Sequence, residues 1–455
     1  MSETQDRRNA PHLLTPIGFA GFSIAFAALF YLANRVVHLY CSPRPDLDCP
    51  ASWPISIFRL RAPPELYFPQ LSHFAAAVAT LSALILVLVV LQRARYKIAL
   101  VACAGVMLIL GSNLIQGSNF GFTRPISGPD EYYTDALRIE NPVQFVATFV
   151  ERQAEYGIHS RSHPPGAVLT IYVLSRFLED PALISVAIAA ISGMLTAVLF
   201  HHLISSEHDE ALAGYVTFLL LLVPSVQIYY AASLDAVIAM LLLGALAFFV
   251  TSTSRLSTVV VFVFMSLASF LTFGFSFIIP VIIGHEWLTS RKLKRSGVLI
   301  ITLVLLYLIV YVLTGFNYAE SFLIASMIEN PQGFRLFADP VGYLVTRIEN
   351  IAEIVFFFGP FLTLLAYLGL WWPQPGDRLT RVTVLGLVSL GLMFLAGVFR
   401  TGETARAAMF IYPFLMLPVA RALADRDVGF LQKSMLAVLI FAQGAAMQLV
   451  GNYIW

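Results

Sequence analysis

Long apolar runs, separated by short charged segments, occupy most of the chain. A helix that crosses a membrane needs about 20 mostly apolar residues, because the hydrocarbon core is about 30 Å thick and an α-helix rises about 1.5 Å per residue. The pattern therefore predicts an all-α, polytopic transmembrane protein. The clearest predicted spans are 16–38, 73–92, 98–117, 182–203, 211–228, 233–251, 297–316, 350–372, 381–399, 406–423 and 429–450.

Two further apolar stretches leave the path of the chain open. Residues 166–178 are short for a crossing, whereas residues 256–287 are long and contain Gly274 and Pro280. Either 166–178 does not cross and 256–287 crosses twice, or each stretch crosses once. Both alternatives predict about 13 spans. They differ in the side of the membrane on which residues 229–235 lie.

Clusters of basic residues between the spans predict the orientation of the protein. Such residues collect in cytoplasmic loops, and here they follow predicted spans at 93–97, 291–295, 378–381 and 421–426. The extracytoplasmic segments are then the loops 39–72, 118–165 and 317–349 and the residues around 400–406. No soluble domain interrupts the pattern, so residues 1–455 are predicted to form a single integral membrane domain.

The composition supports a membrane protein and argues against some partners. Hydrophobic residues make up 58% of the 455 residues and charged residues 12%, about half of the roughly 25% that is usual in soluble domains. The net charge of +1 gives no reason to expect a nucleic acid partner. No CxxC or HExxH metal-binding spacing occurs. Cys41 and Cys49 share one polar loop, where they form either a disulfide or two free thiols.

The predicted outer loop 118–165 carries polar residues at both of its ends. It opens with Asp130 and Glu131 beside Tyr132, and it closes with Arg161 and His163 just before a Pro-Pro-Gly sequence. Between these ends, apolar residues recur at helical spacing, which predicts short helices in the membrane interface. The two polar ends are therefore expected at one membrane surface.

A second set of polar residues lies at the ends of predicted spans. Tyr230 and Asp235 stand between two spans, and Arg400, Glu403 and Arg406 stand between two others. The interiors of the clearest spans hold almost no ionisable residues, whereas an ion-coupled carrier needs carboxylates near the bilayer midplane. The pattern favours an enzyme that acts at the interface.

Four short motifs together resemble the GT-C class of membrane glycosyltransferases, which includes protein O-mannosyltransferases, bacterial aminoarabinose transferases and mycobacterial arabinosyltransferases. The motifs are GPDEYYTDA, HSRSHPPGAVL, YYAASLDAV and RTGETARAAMFIYP. The resemblance extends over residues 118–420. It implies a GT-C-like fold in which 166–178 does not cross and Asp235 lies outside with the other motifs.

The resemblance also implies a reaction and a place for it. Enzymes of this class use a polyprenyl-phosphate-linked sugar, and the expected reaction is an inverting transfer to a lipid, glycan or protein acceptor. The expected location is the bacterial inner membrane, with the active site on its extracytoplasmic face. No cofactor is assigned and no residue is named as a metal ligand, but a divalent cation stays open.

Roles for individual residues follow from that reaction. A base must take the acceptor proton, and Asp130 is the first candidate, with Glu131 as the alternative. Cationic donors stabilise the departing phosphate, and this role falls to Arg161, His163 and either Arg400 or Arg406. The remaining substrate-binding candidates are Tyr132 and Tyr230, which would pack on sugar or prenyl chain, and Asp235 and Glu403.

Structural roles compete with these assignments. Asp130 and Asp235 could each cap a helix, and the sequence around His163 could form only a rigid turn. The others could serve as ion pairs, headgroup contacts or interfacial anchors: Arg400, Arg406 and Tyr230. Two other functions also compete, namely a flippase or carrier, and a glycan ligase or polymerase. The few polar residues inside the spans argue against the first, and the early acidic pair against the second.

Overall fold

The computed structural model describes residues 16–41, 59–60, 71–231, 233–331, 333–371, 377–399, 402–425 and 428–452. These residues are almost entirely helical. The longer helices are Pro16–Cys41, Leu71–Arg93, Ile98–Leu114, Gly166–Phe177, Pro181–Ser205, Glu210–Leu222, Asp235–Thr251, Arg255–Leu271, Ile278–Ser290, Lys294–Thr314, Tyr318–Glu329, Pro340–Phe358, Pro360–Trp371, Arg378–Leu395, Tyr412–Ala424 and Phe430–Val450.

Short helical segments connect them. The α-helical ones are Arg124–Ser127, Tyr132–Leu137, Pro142–Ala147, Phe149–Arg152, Ile158–Ser162, Pro224–Tyr229, Arg335–Ala338 and Thr404–Ala407. A π-helical turn covers Asn119–Thr123, and 3-10 turns cover Gln153–Glu155, Phe273–Phe277 and Met409–Ile411. The two-residue strands Arg59–Leu60 and Gly451–Asn452 pair antiparallel. Cys49 lies outside the described residues, and so does the choice between a Cys41–Cys49 disulfide and two free thiols.

Six helices of the described ranges are long and apolar enough to cross a bilayer, namely Leu71–Arg93, Pro181–Ser205, Phe273–Ser290, Lys294–Thr314, Arg378–Leu395 and Phe430–Leu449. In Lys294–Thr314, only 11% of the most apolar stretch is buried inside the protein. An apolar surface of this extent is unfavourable in water and suits a lipid environment. The chain is thus an all-α membrane protein.

A second group of helices forms the centre of the bundle. Asp235–Thr251 packs against Pro181–Ser205 and Arg255–Leu271, and most of its side chains are buried. Glu210–Leu222 is likewise buried from Ala213 onward. A helix that is enclosed by others has no side that water reaches, which explains why both segments are apolar on every face.

The stretch 256–287 forms two helices rather than one. Arg255–Leu271 and Ile278–Ser290 meet at a 3-10 turn, where the Thr272 hydroxyl accepts a hydrogen bond from the backbone amide of Gly274 at 3.0 Å. Gly166–Phe177, in contrast, has 12 residues, which at about 1.5 Å per residue is well short of the hydrocarbon core. Ile278–Ser290 alone has 13 residues, and it is long enough to cross only together with the preceding 3-10 turn, as Phe273–Ser290.

The predicted span 350–372 is not one straight helix. The structure has two helices there, Pro340–Phe358 and Pro360–Trp371, which are bent by 103°. The break occurs at Gly359, whose φ of +88° is available to glycine at little cost, and Pro360 lacks the amide hydrogen that would continue the helix. The first of the two helices begins inside the predicted loop 317–349.

Basic side chains gather at one end of the bundle. Arg378 pairs with Glu207 at 2.7 Å, and Arg421 pairs with Asp377 at 2.8 Å. Arg295 donates to the carbonyl oxygens that end the helix Asp235–Thr251. Asp235 begins that same helix and therefore lies at the opposite end of the bundle. The structure thus separates the basic clusters from Asp235 along the helix axis.

Candidate functional site

A cavity of about 220 Å³ lies at the end of the bundle opposite the basic clusters. Five parts of the chain line it: the loop residues 131–163, the start of Asp235–Thr251, the break at 272–274, the helix Tyr318–Glu329, and residues within 396–399 and 403–410. Several of the residues singled out in the sequence line this cavity, although more than 270 positions separate the first from the last. They are Glu131, Tyr132, His163, Asp235, Glu403 and Arg406.

Glu131 is the carboxyl group that the outer loop contributes to the cavity. It occupies the position just before the helix Tyr132–Leu137, but its side chain does not cap that helix. It is 9% exposed, and its Oε1 lies 3.8 Å from Nε2 of His159. Burial, with smaller contributions from nearby carboxylates and against the opposing effect of Arg406, raises the pKa of Glu131 from 4.5 to about 8. The group can therefore change its charge near neutral pH.

His163 is held as a neutral imidazole. Its Nδ1 lies 3.0 Å from the carbonyl oxygen of His159, so Nδ1 carries the proton and Nε2 is the acceptor. Burial lowers the pKa of His163, and the opposing effect of Asp235 is smaller. The ring of Tyr132 contacts both imidazoles, with centroid separations of 6.0 Å and 5.7 Å. His163 is thus arranged to accept a hydrogen bond, whereas the sequence suggested a cation.

Arg406 is the guanidinium of the cavity, and two carboxylates hold it. Its Nε lies 3.4 Å from Asp235 and its Nη2 lies 3.9 Å from Glu403. Arg406 is 6% exposed, so these pairs act in a poorly hydrated environment. Asp235 is the first residue of its helix and not the N-cap that was its alternative role, and it accepts a hydrogen bond from the Ser233 hydroxyl at 2.9 Å.

Other residues predicted from the sequence lie away from the cavity or outside the description. The carbonyl oxygen of Asp130 accepts a hydrogen bond from the amide of His159, but the side chain of Asp130 is not part of the lining, and neither is that of Arg161. Tyr230 is 2% exposed and bonds to Thr196 at 3.0 Å. Arg400 lies outside the described residues.

The sequence did not single out Glu353. This residue does not line the cavity, but it contacts the segment that carries Glu403 and Arg406. This carboxyl is fully buried, and its Oε1 accepts a hydrogen bond from the backbone amide of Ala405 at 2.9 Å. A carboxyl inside the predicted span 350–372 is costly in a membrane. That cost is the signal that could have identified Glu353.

Carboxyl groups outnumber the guanidinium in the described part of the lining. The carboxyl and guanidinium side chains are Glu131, Asp235, Glu329, Glu403 and Arg406. An anionic group that binds beside Arg406 must therefore share it with Asp235. Within the described ranges, no group of three or more His, Cys, Asp or Glu side chains is arranged to hold a metal ion.

No protein-family model matches the sequence, and no curated protein matches it. The chemical interpretation therefore rests on the geometry of the cavity. A carboxyl with a raised pKa can take a proton from a hydroxyl, a neutral imidazole can orient that hydroxyl, and a buried guanidinium can stabilise an oxyanion. Phe273 and Phe322, with ring centroids 5.4 Å apart, add an apolar wall.

Proposed function

We propose that this protein is an integral membrane glycosyltransferase of the GT-C type. It would move a sugar from a polyprenyl-phosphate donor to a hydroxyl group of a lipid, glycan or protein acceptor. The observation that carries the proposal is that Glu131, Asp235 and Arg406 line one cavity at the ends of apolar helices. A lipid headgroup and a polar acceptor meet at such a position, because the hydrocarbon core excludes both.

In the proposed reaction, Glu131 is the base. The acceptor oxygen attacks the anomeric carbon, the bond from that carbon to the phosphate oxygen breaks, and the phosphate leaves with the bonding electrons. The acceptor proton passes to the Glu131 carboxylate, and the configuration at the anomeric carbon inverts. We prefer Glu131 to Asp130 because only the side chain of Glu131 lines the cavity. His163 would accept a hydrogen bond from a substrate hydroxyl.

The remaining lining would hold the donor. Arg406 would contact the phosphate, with Asp235 and Glu403 fixing the direction of the guanidinium. The prenyl chain would lie along the apolar wall, where Phe322 lines the cavity and is 49% exposed. An apolar wall in the cavity suits the hydrocarbon part of a donor that never leaves the membrane.

The membrane arrangement belongs to the same proposal. We propose about 13 spans, a bacterial inner membrane, and a cavity on the extracytoplasmic face. The distribution of charge supports that face, because Arg295, Arg378 and Arg421 form their contacts at the other end of the bundle, and basic residues favour the cytoplasmic side.

The proposal is tested with the purified chain in nanodiscs and a set of undecaprenyl-phosphate-linked sugars. The expected result is release of undecaprenyl phosphate together with a glycosylated acceptor, and E131Q should lower the rate on the order of 100-fold. The control is E140Q, because Glu140 is exposed on the same loop and outside the cavity lining. A fully active D130N/E131Q double variant, or movement of the lipid across the bilayer with no new glycosidic bond, would contradict the proposal.

A further inference from the structure

The helix Pro340–Phe358 presents a row of polar side chains to the segment that carries Glu403 and Arg406. We call this row the polar ladder. Its members recur every three or four residues, so they share one face of the helix. Three of the four are buried, and the fourth is partly buried. The members are Tyr343, Arg347, Asn350 and Glu353.

The first two members of the polar ladder, Tyr343 and Arg347, contact residues 394–399, which precede the turn 402–405 at the cavity. The Tyr343 hydroxyl donates to the carbonyl oxygen of Phe394 at 2.7 Å, and Arg347 donates to the carbonyl oxygen of Phe399 at 3.1 Å. The guanidinium of Arg347 also lies over the Tyr343 ring, 4.6 Å from its centroid. These contacts fix the segment where it leaves the helix Arg378–Leu395.

The last two members of the polar ladder, Asn350 and Glu353, contact the turn 402–405 itself. With its amide nitrogen facing Thr404, Asn350 lies 3.2 Å from the Thr404 hydroxyl oxygen. Glu353 accepts the backbone amide of Ala405 at 2.9 Å, and the amides of Thr404 and Gly402 interact with the same carboxyl. Ala405 belongs to the first turn of a short helix, where backbone amides have no partner within the helix. Glu353 supplies the missing acceptor.

The segment needs such support because it has little structure of its own. Gly397 and Gly402 have positive φ values of +77° and +85°, which are incompatible with regular helix at these two positions. Backbone hydrogen bonds are directional, so an acceptor fixed on a long helix sets the orientation of the turn more narrowly than apolar contact does. Arg406 follows Ala405 directly, so the orientation of the turn also determines the direction in which the Arg406 side chain leaves the backbone.

We infer that Glu353 is a positioning residue, which fixes the turn 402–405 and through it the placement of the Arg406 guanidinium beside Asp235. This inference rests on the proposed function for its effect on catalysis. The structural half, that Glu353 holds the turn, is independent of that function. The two halves are therefore tested separately.

The structural half is tested by hydrogen exchange of the full chain in nanodiscs. E353A should lose protection at the amide of Ala405, whereas E353Q, which keeps one acceptor oxygen, should retain more of it. The matched control is Q443A, because Gln443 donates to the carbonyl oxygen of Phe356 on the same helix at 2.8 Å without lining the cavity. Unchanged exchange at Ala405 in E353A overturns the inference.

The catalytic half is tested by a double-mutant cycle on transfer from the undecaprenyl-phosphate-linked sugar. R406A and E353A should each lower kcat/KM on the order of 100-fold. The double variant should lie within about threefold of R406A alone, because the two substitutions disable one group. E353Q should lie closer to the wild type than E353A.

The outcomes separate the inference from the proposed function. Losses that multiply in the double variant overturn the positioning role, even when transfer is confirmed. Where no donor supports transfer, the proposed function fails, and the cycle is measured on the Kd of undecaprenyl phosphate in the same nanodiscs. If R406A then raises this Kd and E353A leaves it unchanged, the catalytic half is overturned. If E353A fails to fold, E353Q and E353D replace it in both the hydrogen-exchange experiment and the double-mutant cycle.

Discussion

Glu131 and Asp130 are neighbours in sequence but not in environment. The side chain of Glu131 is buried against His159 and lines the cavity, while that of Asp130 is outside the lining. Burial favours the neutral carboxyl. Glu131 is therefore a carboxyl whose proton uptake can be coupled to a reaction near neutral pH.

The pH dependence of transfer should report this carboxyl. With Glu131 as the base, kcat/KM should rise about tenfold per pH unit below the pKa of Glu131 and level off above it, and that pKa is about 8. In E131Q the residual rate should lose this dependence. A pH profile of kcat/KM for both proteins makes the measurement. A wild-type profile that is flat between pH 6 and 9 would contradict the role, whatever the variant does.

The stability of the protein should respond to the same group with a defined sign. The fold holds the neutral form, because the pKa of Glu131 is raised from 4.5 to about 8. The unfolded chain ionises first, so the stabilisation is complete below pH 4.5, declines as the pH rises, and is lost above about 8. Relative to E131Q, the wild-type Tm should therefore fall between pH 5 and 9. If the Tm of the wild type and the Tm of E131Q depend on pH to the same extent, Glu131 is not the cause of the pH dependence of stability.

At the scale of elements, the Pro-Pro-Gly sequence has a packing role. Gly166 begins the helix Gly166–Phe177, and a Cβ atom at this position would overlap the carbonyl oxygen and the ring of Phe270. The glycine lets this helix approach Arg255–Leu271 closely. His163 lies three residues earlier, so the close approach also sets where the imidazole enters the cavity.

G166A should therefore lower both stability and transfer. The overlap forces the two helices apart, at a cost of about 2 kcal/mol, and the shift moves His163. The measurements are Tm and kcat/KM. G297A is the matched control, because a Cβ at Gly297 meets no atom within 4 Å. If G166A and G297A behave alike, the close contact with Phe270 has no energetic importance.

The elements also show which parts of the fold could be predicted from the sequence. Apolar runs such as 297–316 identify a helix because its whole surface meets lipid, and the run itself is the signal. The helix Pro340–Phe358 was predicted to begin at 350, because its first half carries Arg347 and Glu349 and resembles a polar loop. Arg347 is tolerated because it donates to the carbonyl oxygen of Phe399, which is a tertiary contact that hydropathy does not contain.

At the scale of the whole molecule, the helix axis separates two kinds of polar cluster. One end holds the cavity, and the other holds the ion pairs of Arg378 and Arg421. The candidate site could be predicted as a set of residues, since Glu131 stands in a predicted outer loop and Asp235 and Arg406 stand at the ends of predicted spans. The sequence could not predict which of these residues lie in the same cavity, because that depends on how the helices are connected and packed. Tyr230 faces Thr196 although Asp235, five residues later, reaches the cavity.

The two ends should be distinguishable by labelling. In a background with Cys41, Cys49 and Cys103 replaced, T134C and K292C place single thiols at exposed positions near opposite ends. A membrane-impermeant maleimide should label T134C only in right-side-out vesicles and K292C only in inverted ones. K294C, at an exposed position beside Lys292, is the control for the second thiol. Labelling of both ends from the same side would contradict the proposed orientation.

The lipid-facing surface of Lys294–Thr314 makes the surrounding amphiphile a practical concern. This helix touches its neighbours on a narrow strip, and its N-terminal Arg295 reaches across to the carbonyl oxygens of Phe249 and Ser252. Solubilisation replaces acyl chains along nearly its entire length. A short-chain detergent should therefore loosen this helix before any other and release Arg295, so that damage during purification would start far from the cavity and go unnoticed in an assay confined to it.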